Sequence, residues 1–171
     1  MFKKLMLVGL VSASALVASP SLAAEKNWTL PTHKIYAQQL ADETMKAHPE
    51  LLSVTLHGVP PGMHDAYTMF AGSYLDRIGN ADDPDDIDVS KKGITIVDPR
   101  WRRTQDPAPK FVVLMPLRDR AYENIGLVVY AFKVPLESNA GERKFYLKAL
   151  ELRDALAKRI PSYAGLFAAA R

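Results

Sequence analysis

His57 and His64 flank a Pro-Pro-Gly turn in the stretch LHGVPPGMHD, residues 56–65. His57 follows Ser53 and Thr55 at alternate positions of an apolar, β-branched segment. Because side chains alternate between the two faces of a strand, these three polar groups would share one face where it reaches the turn. Such a face either lines a pocket or meets water. His57 is therefore a candidate pocket residue, and a solvated or backbone-bonded imidazole is the alternative.

The other histidines do not give His57 a metal-binding partner by spacing. His33 and His48 fall on or beside a predicted helix, and His64 lies beyond the turn, with no HxH or HExxH pattern. The chain has no cysteine to add a thiolate ligand. The sequence therefore predicts no metal site and no cofactor.

The acidic segment ADDPDDIDVSKKG, residues 81–93, raises the question of calcium binding, because hard cations prefer carboxylate oxygens. Ile87 and the lack of a central glycine depart from the EF-hand order, and Pro84 stiffens the segment. We interpret it as a solvated surface loop.

Nucleophilic catalysis needs an activated hydroxyl or thiol with a base in reach. Ser73 in FAGSYL lacks the GxSxG elbow, and no triad order is readable in the chain. Ser73, His57 and Asp65 are the one set that a small hydrolase could use. The sequence predicts a protein that is not an enzyme, with a small hydrolase as the least favoured alternative.

Two arginines stand where the mouth of a pocket is predicted. Arg118 follows the apolar stretch FVVLMPL and Arg77 lies in LDRIGN, so either guanidinium could clamp a ligand carboxylate by two parallel hydrogen bonds. For Arg118, a surface ion pair with Asp119 or Glu123 is the alternative. Side chains of the second predicted strand complete the set, and the predicted ligand contacts are His57, Tyr67, Met69, Ser73, Arg77 and Arg118.

The first 24 residues have the pattern of a secretory signal peptide. A basic start precedes an apolar run, and small residues at Ser21 and Ala23 suit cleavage after Ala23 or Ala24. We expect residues 25–171 to form one domain in the periplasm or outside the cell, with no lipid anchor and no transmembrane helix.

The charge of this expected mature chain is close to neutral. The whole sequence has a net charge of +3, and removing Lys3 and Lys4 leaves 20 basic against 19 acidic residues. The composition therefore predicts no nucleic-acid partner. Without cysteine there is no disulfide framework, so an ordinary hydrophobic core must supply the stability.

Hydrophobic periodicity and breaker residues predict an α+β fold with an antiparallel sheet of about five strands between an N-terminal helix and a long C-terminal helix. Thr32 is the predicted N-cap of the first helix, and an Asn139 to Glu142 capping box opens the last one. The predicted helices cover about 32–47 and 142–160, and the predicted strands lie within 51–58, 65–80, 94–98, 110–117 and 124–134.

The hairpin sequence PLRDRAYENIGLVVYAFKV, residues 116–134, resembles the last hairpin of PAS-like extracytoplasmic sensor domains of the single-Cache type. The element order is similar over most of residues 32–160. Two features depart from that family: Ala121 to Asn124 replace the usual turn glycine, and neither a flanking membrane helix nor an output domain is recognised.

This resemblance implies a curved sheet with a small-molecule pocket between one sheet face and the loops after the first two strands. It also implies a small metabolite as ligand, such as a carboxylate or an amino acid, and a separate envelope or membrane protein as partner. We therefore expect a non-enzymatic, periplasmic, sensor-like or accessory binding protein. An envelope protein-protein interaction module is the alternative, and a homodimer through the first helix is compatible with both.

Overall fold

A five-stranded antiparallel sheet forms the centre of the protein. The structure is a computed structural model and describes residues 25–99, 110–134 and 141–170. The strand order is β2-β1-β5-β4-β3, so the predicted α+β class is confirmed. Along the chain the elements are α1 (Tyr36–Ala47), β1 (Leu51–Gly58), β2 (Thr68–Gly72), a 3-10 helix (Leu75–Arg77), α2 (Pro84–Lys92), β3 (Ile96–Pro99), β4 (Lys110–Arg118), β5 (Asn124–Lys133), α3 (Glu142–Ala157) and a second 3-10 helix (Ala164–Phe167).

The main hydrophobic core lies between one face of the sheet and the helices α1 and α3. Alternate strand residues such as Val54, Val113 and Tyr130 are fully buried there. The helices contribute the apolar stripes that the sequence predicts, for example Leu40 on α1 and Leu152 on α3. Burial of these stripes is what holds the two helices on the sheet, at about 25 cal/mol for each Å² removed from water.

The opposite face of the sheet carries a second, smaller cluster. Val89 of α2 packs there against Leu114 and Leu127, among other side chains of β4 and β5. The Asn124 side chain donates a hydrogen bond of 2.8 Å to the Ser90 carbonyl oxygen and fixes the end of α2 to the start of β5. The sheet is thus covered on both faces, as the near-continuous apolarity of β4 and β5 predicts.

The first helix begins later than predicted. Thr32 is exposed and does not cap it; the N-cap position is Ile35, in an extended conformation and without a side-chain hydrogen bond. The reason is a long-range contact, because the Tyr36 amide donates to the Ala168 carbonyl and Ile35 forms an antiparallel bridge with Ala169. The C-terminal segment thus does the capping that a local side chain was expected to do.

The second strand is shorter than predicted and does not alternate as expected. It ends at Gly72, after which the chain forms a 3-10 helix. A register shift between Leu56 and His57 places Ala71 opposite Leu56 and Met69 opposite His57. Met69 and Ala71 are two positions apart, yet they lie on different sides of the sheet, as a β-bulge causes.

The acidic segment is a helix, so the surface-loop interpretation is wrong. Asp83 is the N-cap of α2, and its side chain accepts hydrogen bonds from the Asp85 and Asp86 amides. Pro84 occupies the first helical turn and Gly93, with φ of 65°, ends the helix in the left-handed region. These are ordinary start and stop signals, and they outweigh the repulsion among the carboxylates.

β4 and β5 form the predicted antiparallel hairpin, in a register that places Arg118 opposite Asn124. The turn works without the missing glycine because Tyr122 itself adopts a positive φ of 67°. The Asp119 carboxylate accepts hydrogen bonds from the Ala121 and Glu123 amides. An aspartate thus fixes the turn that a glycine would otherwise allow.

Two predictions concern residues that the structure does not describe: the signal peptide of residues 1–24 and Asn139 of the capping box. The N-cap residue of α3 is Gly141. None of the helices in the described part of the chain combines the length and the apolarity that a membrane crossing needs.

Candidate functional site

A cavity of about 530 Å³ lies between the second face of the sheet and the chain from β2 to α2. Its floor is made by β1, β3, β4 and β5, whose paired residues form rows across the sheet. One row contains Thr55, Val129, Leu114 and Ile96. The antiparallel register therefore brings side chains from four strands to one surface.

The cavity exists because the neighbouring row of the floor has small side chains. Ser53 lies opposite Ala131 there, and Ala131 lies opposite Val112. These side chains leave space that a Leu or Phe would fill. Polar groups from β1 and from the segment before α2 surround this space, which gives a concave site of ordinary ligand-binding size.

His57 lies at one end of this floor and is almost fully buried, with 7% of its surface exposed. Its Nδ1 is 2.7 Å from Oδ1 of Asp82, and its Nε2 is 2.7 Å from Oγ1 of Thr55. Oδ2 of Asp86 lies 3.9 Å from the same Nδ1. His57 thus joins a β1 hydroxyl to two carboxylates of the segment around the start of α2.

Two backbone features put these three side chains together. Asp82 and Asp86 lie four positions apart across the start of α2, which brings both to the side that faces β1. Gly126 of β5 has a φ of 146°, and a Cβ there would be only 2.4 Å from the His57 carbonyl oxygen. A glycine at this position is what allows β5 to pair closely with the end of β1.

Burial and charge act in opposite directions on His57. Burial alone lowers its pKa, but the hydrogen bond and the negative charge of Asp82, with Asp86 and Asp83 nearby, outweigh it and leave the pKa raised. For Asp86, burial and the neighbouring carboxylates Asp83 and Asp82 raise the pKa to about 6, against the opposing charge of His57. His57 and Asp86 therefore hold their protons more tightly than the same groups would in isolation.

Asp82 contributes a buried oxygen with no partner. Its side chain is 1% exposed. Oδ1 contacts His57, whereas Oδ2 has no hydrogen-bond partner among the described residues. An unpaired buried carboxylate oxygen is costly.

Charged groups of both signs line the rest of the cavity. Arg77 and Lys110 are its cationic lining residues. The acidic lining residues outnumber them: Asp82, Asp83, Asp85, Asp86 and Asp98. Among the described residues the cavity is therefore net acidic, most strongly at the His57 end.

Three of the predicted ligand contacts come together in this cavity. His57 and Met69 face it from β1 and β2, and Arg77 reaches it from the 3-10 helix. The Arg77 guanidinium also lies 4.7 Å from the centre of the Tyr74 ring, a cation-π contact between two exposed residues that line the cavity. Their role in ligand binding stays a prediction.

The other three predicted contacts are not among the residues that line the cavity. Tyr67 lies with its ring 5.0 Å from Nζ of Lys91, and Ser73 exchanges hydrogen bonds with the Val54 backbone. Arg118 stays at the hairpin, where one of its guanidinium N–H groups donates to the Tyr122 carbonyl. The hydrolase set is also apart, because Ser73 Oγ contacts Val54 whereas the partners of His57 are Asp82 and Thr55.

Asp82 and Asp86 are the site residues that sequence reasoning missed. A signal for them was present, since Asp83 followed by Pro84 is a helix start and Gly93 is a helix end. Reading residues 84–92 as a helix would have placed Asp86 in its first turn and Asp82 immediately before its N-cap. Nothing local, however, indicates that these two residues face His57, which is 25 positions from Asp82.

Comparison with known proteins gives similarity of fold and no match in sequence. No family model matches the chain, and no curated protein matches it either. Among solved structures, the Escherichia coli DcuS sensor domain is 22% identical with a TM-score of 0.38; the match covers 56% of this chain and 65% of that one.

A GAF domain of a two-component sensor histidine kinase from Bacillus halodurans is 11% identical, with a TM-score of 0.48 and coverage of 74% and 95%. A type II free methionine-R-sulfoxide reductase from Thermoplasma acidophilum is 12% identical, with a TM-score of 0.45 and coverage of 77% and 92%. These likenesses concern the path of the backbone. The predicted α+β arrangement rests on this chain's own five-stranded antiparallel sheet and the helices packed on it.

Proposed function

We propose that this protein captures a small molecule in the cavity between the sheet and α2, and that it acts as a sensor-like or accessory protein without catalysis of its own. The observation that carries the proposal is the cavity itself: about 530 Å³, with apolar side chains of the sheet in its floor and many polar and charged groups around them. Sites for small molecules are concave and of this size, and fixed polar side chains give them specificity.

The ligand we propose is a small polar metabolite that carries a carboxylate. Arg77 lines the cavity mouth and offers a guanidinium that can hold a carboxylate by two hydrogen bonds. The apolar floor of Val129, Val112 and Leu114 would contact the carbon skeleton. His57 at the far end would donate to, or accept from, a second polar group of the ligand.

A thermal-shift screen of small carboxylates and amino acids tests this function. A ligand at about 100 times its dissociation constant should stabilise the fold by roughly 2.7 kcal/mol. For a domain of this size that corresponds to a rise in Tm of roughly 5 to 10 °C.

Ala131→Phe fills the floor of the cavity and should abolish the ligand-induced shift in Tm. Leu75→Phe changes a side chain that is 68% exposed and does not line the cavity, so it should respond as the wild type does. A folded wild-type protein that shows no shift across the whole library would contradict the proposed function, as would a shift that Ala131→Phe retains in full.

Export to the periplasm is also part of the proposal. N-terminal sequencing of the protein recovered from a periplasmic extract should give a chain that begins at Ala24 or Glu25, after removal of the signal peptide. A separate envelope or membrane protein would then receive the signal or cargo. An unprocessed chain that stays in the cytoplasm would contradict this location.

A further inference from the structure

We propose that His57, Asp82 and Asp86 form a binding site for a divalent transition-metal ion at the end of the cavity. One ligand atom from each residue lies within 4.8 Å of the other two. The site goes beyond the proposed function, since it needs no organic ligand to form.

The buried oxygen of Asp82 is the observation that separates this site from an ordinary acidic helix start. The amides of the first turn of α2 are taken by Asp83, which caps both Asp85 and Asp86. Asp82 is therefore not needed as the cap. Its Oδ2 is buried and without a partner in the described part of the chain, and Asp82 is one of the residues that line the cavity. A cation bound to this carboxylate would balance its charge.

The tautomer of His57 is the second requirement. When Nε2–H donates to Oγ1 of Thr55 at 2.7 Å, the lone pair of Nδ1 points toward Asp82. Two lone pairs facing each other at 2.7 Å repel unless a proton or a metal ion lies between them. Thr55 thus acts as the group that fixes ring orientation, as outer partners of metal-binding histidines do.

The separations suit a small ion with nitrogen and oxygen ligands. Bonds of about 2.0 to 2.1 Å in a tetrahedral site place ligand atoms roughly 3.3 Å apart. The observed distances from Nδ1 of His57, 2.7 Å to Asp82 and 3.9 Å to Asp86, lie on either side of that value. Modest rotation of the two carboxylates would equalise them.

The donor set selects among metals. One imidazole with two carboxylates suits Zn²⁺, Co²⁺ or Ni²⁺, whereas Ca²⁺ and Mg²⁺ prefer oxygen ligands alone. Three protein ligands leave a fourth position open toward the cavity. A bound divalent ion would also neutralise the charges of Asp82 and Asp86, and its open coordination position could accept a ligand carboxylate.

Isothermal titration with ZnCl2 tests the site in protein that carries no histidine tag and has been treated with a chelator. We expect one zinc ion per chain, and weaker affinity by at least about tenfold in Asp82→Asn and in Asp86→Asn. Asp85→Asn is the matched control, since Asp85 lines the same cavity but lies outside the cluster and caps nothing. Its zinc affinity should equal that of the wild type.

Two further measurements keep the outcome interpretable. Addition of CoCl2 should give a visible absorption spectrum that Asp86→Asn loses, and circular dichroism should show that each variant is folded. CaCl2 should give no heat at the same concentrations. Absence of zinc binding to the wild type would overturn the proposal, and so would equal losses in Asp85→Asn. If zinc binds but no metabolite in the thermal-shift screen changes the Tm, the proposed function is refuted and the metal site is not.

Discussion

The Asp86 carboxylate should cost the metal-free protein stability at neutral pH, and its replacement by Asn should reveal how much. Its pKa is raised from 3.8 to about 6, mainly by burial, with Asp83 and Asp82 adding to the effect against the attraction of His57. The folded state therefore holds a proton that the unfolded state has already released. Stability from this proton is complete below about pH 3.8 and is lost as the pH rises through about 6.

The magnitude follows from the size of the shift. Two pKa units correspond to about 3 kcal/mol, at 1.36 kcal/mol for each unit. The Asp86 side chain is 17% exposed, so solvent screens this effect only in part. Asp86→Asn has no carboxyl group to titrate at this position, so it does not lose this stability as the pH rises. The free energy of unfolding of the variant minus that of the wild type should therefore be about 2 to 3 kcal/mol larger at pH 7.5 than at pH 4.

Urea unfolding followed by circular dichroism, with a chelator present, measures this difference at several pH values. Asp85→Asn is the control, because the same change of charge at an exposed position should shift stability by less than about 0.5 kcal/mol at any pH. A stability difference between Asp86→Asn and the wild type that does not grow from pH 4 to pH 7.5 would refute the reasoning. A variant that is less stable at pH 7.5 would do so as well.

Three further substitutions test how the site is held in place, each measured by urea unfolding. Asp83→Ala removes the cap of α2 and should cost about 1 kcal/mol, whereas Asp85→Ala should cost little. Gly126→Ala puts a Cβ 2.4 Å from a β1 carbonyl oxygen and should cost well over 2 kcal/mol; Gly62→Ala, also at positive φ but with nothing within 4 Å, should cost about 1. Tyr163→Phe removes a part-buried 2.6 Å hydrogen bond to a backbone carbonyl and should cost about 1 kcal/mol; Tyr36→Phe removes a solvent-exposed 3.2 Å hydrogen bond, and an equal loss there would contradict this.

The sheet was the part of the fold most open to prediction. Long apolar stretches such as FVVLMPL leave few alternatives to a central strand, and the boundaries of β1, β4 and β5 agree with the expected ones within a residue or two. The start of α1 was less predictable, because the group that satisfies the Tyr36 amide comes from Ala168, more than 130 positions away. No local pattern can report such a contact.

The sequence predicted the β1 side of the site but not the α2 side. Alternation along β1 placed His57, Thr55 and Ser53 on one face, and all three line the cavity. The carboxylates that contact His57 were missed because their segment, which has five aspartates, was assigned as a loop. Its Asp83-Pro84 start is in fact a helix start. Which side of that helix faces β1 depends on tertiary packing, which one sequence does not reveal.

The alternation of β1 has a mechanical consequence. Thr55 faces the cavity, while its neighbours Val54 and Leu56 point into the layer of α1 and α3. A bound ligand that changed the distance between Thr55 and Val129 would therefore also move side chains on the opposite face of the sheet, because close-packed interiors transmit small displacements. Ligand binding in the cavity would then change the outer surface of α1 and α3, on the opposite side of the sheet from the cavity.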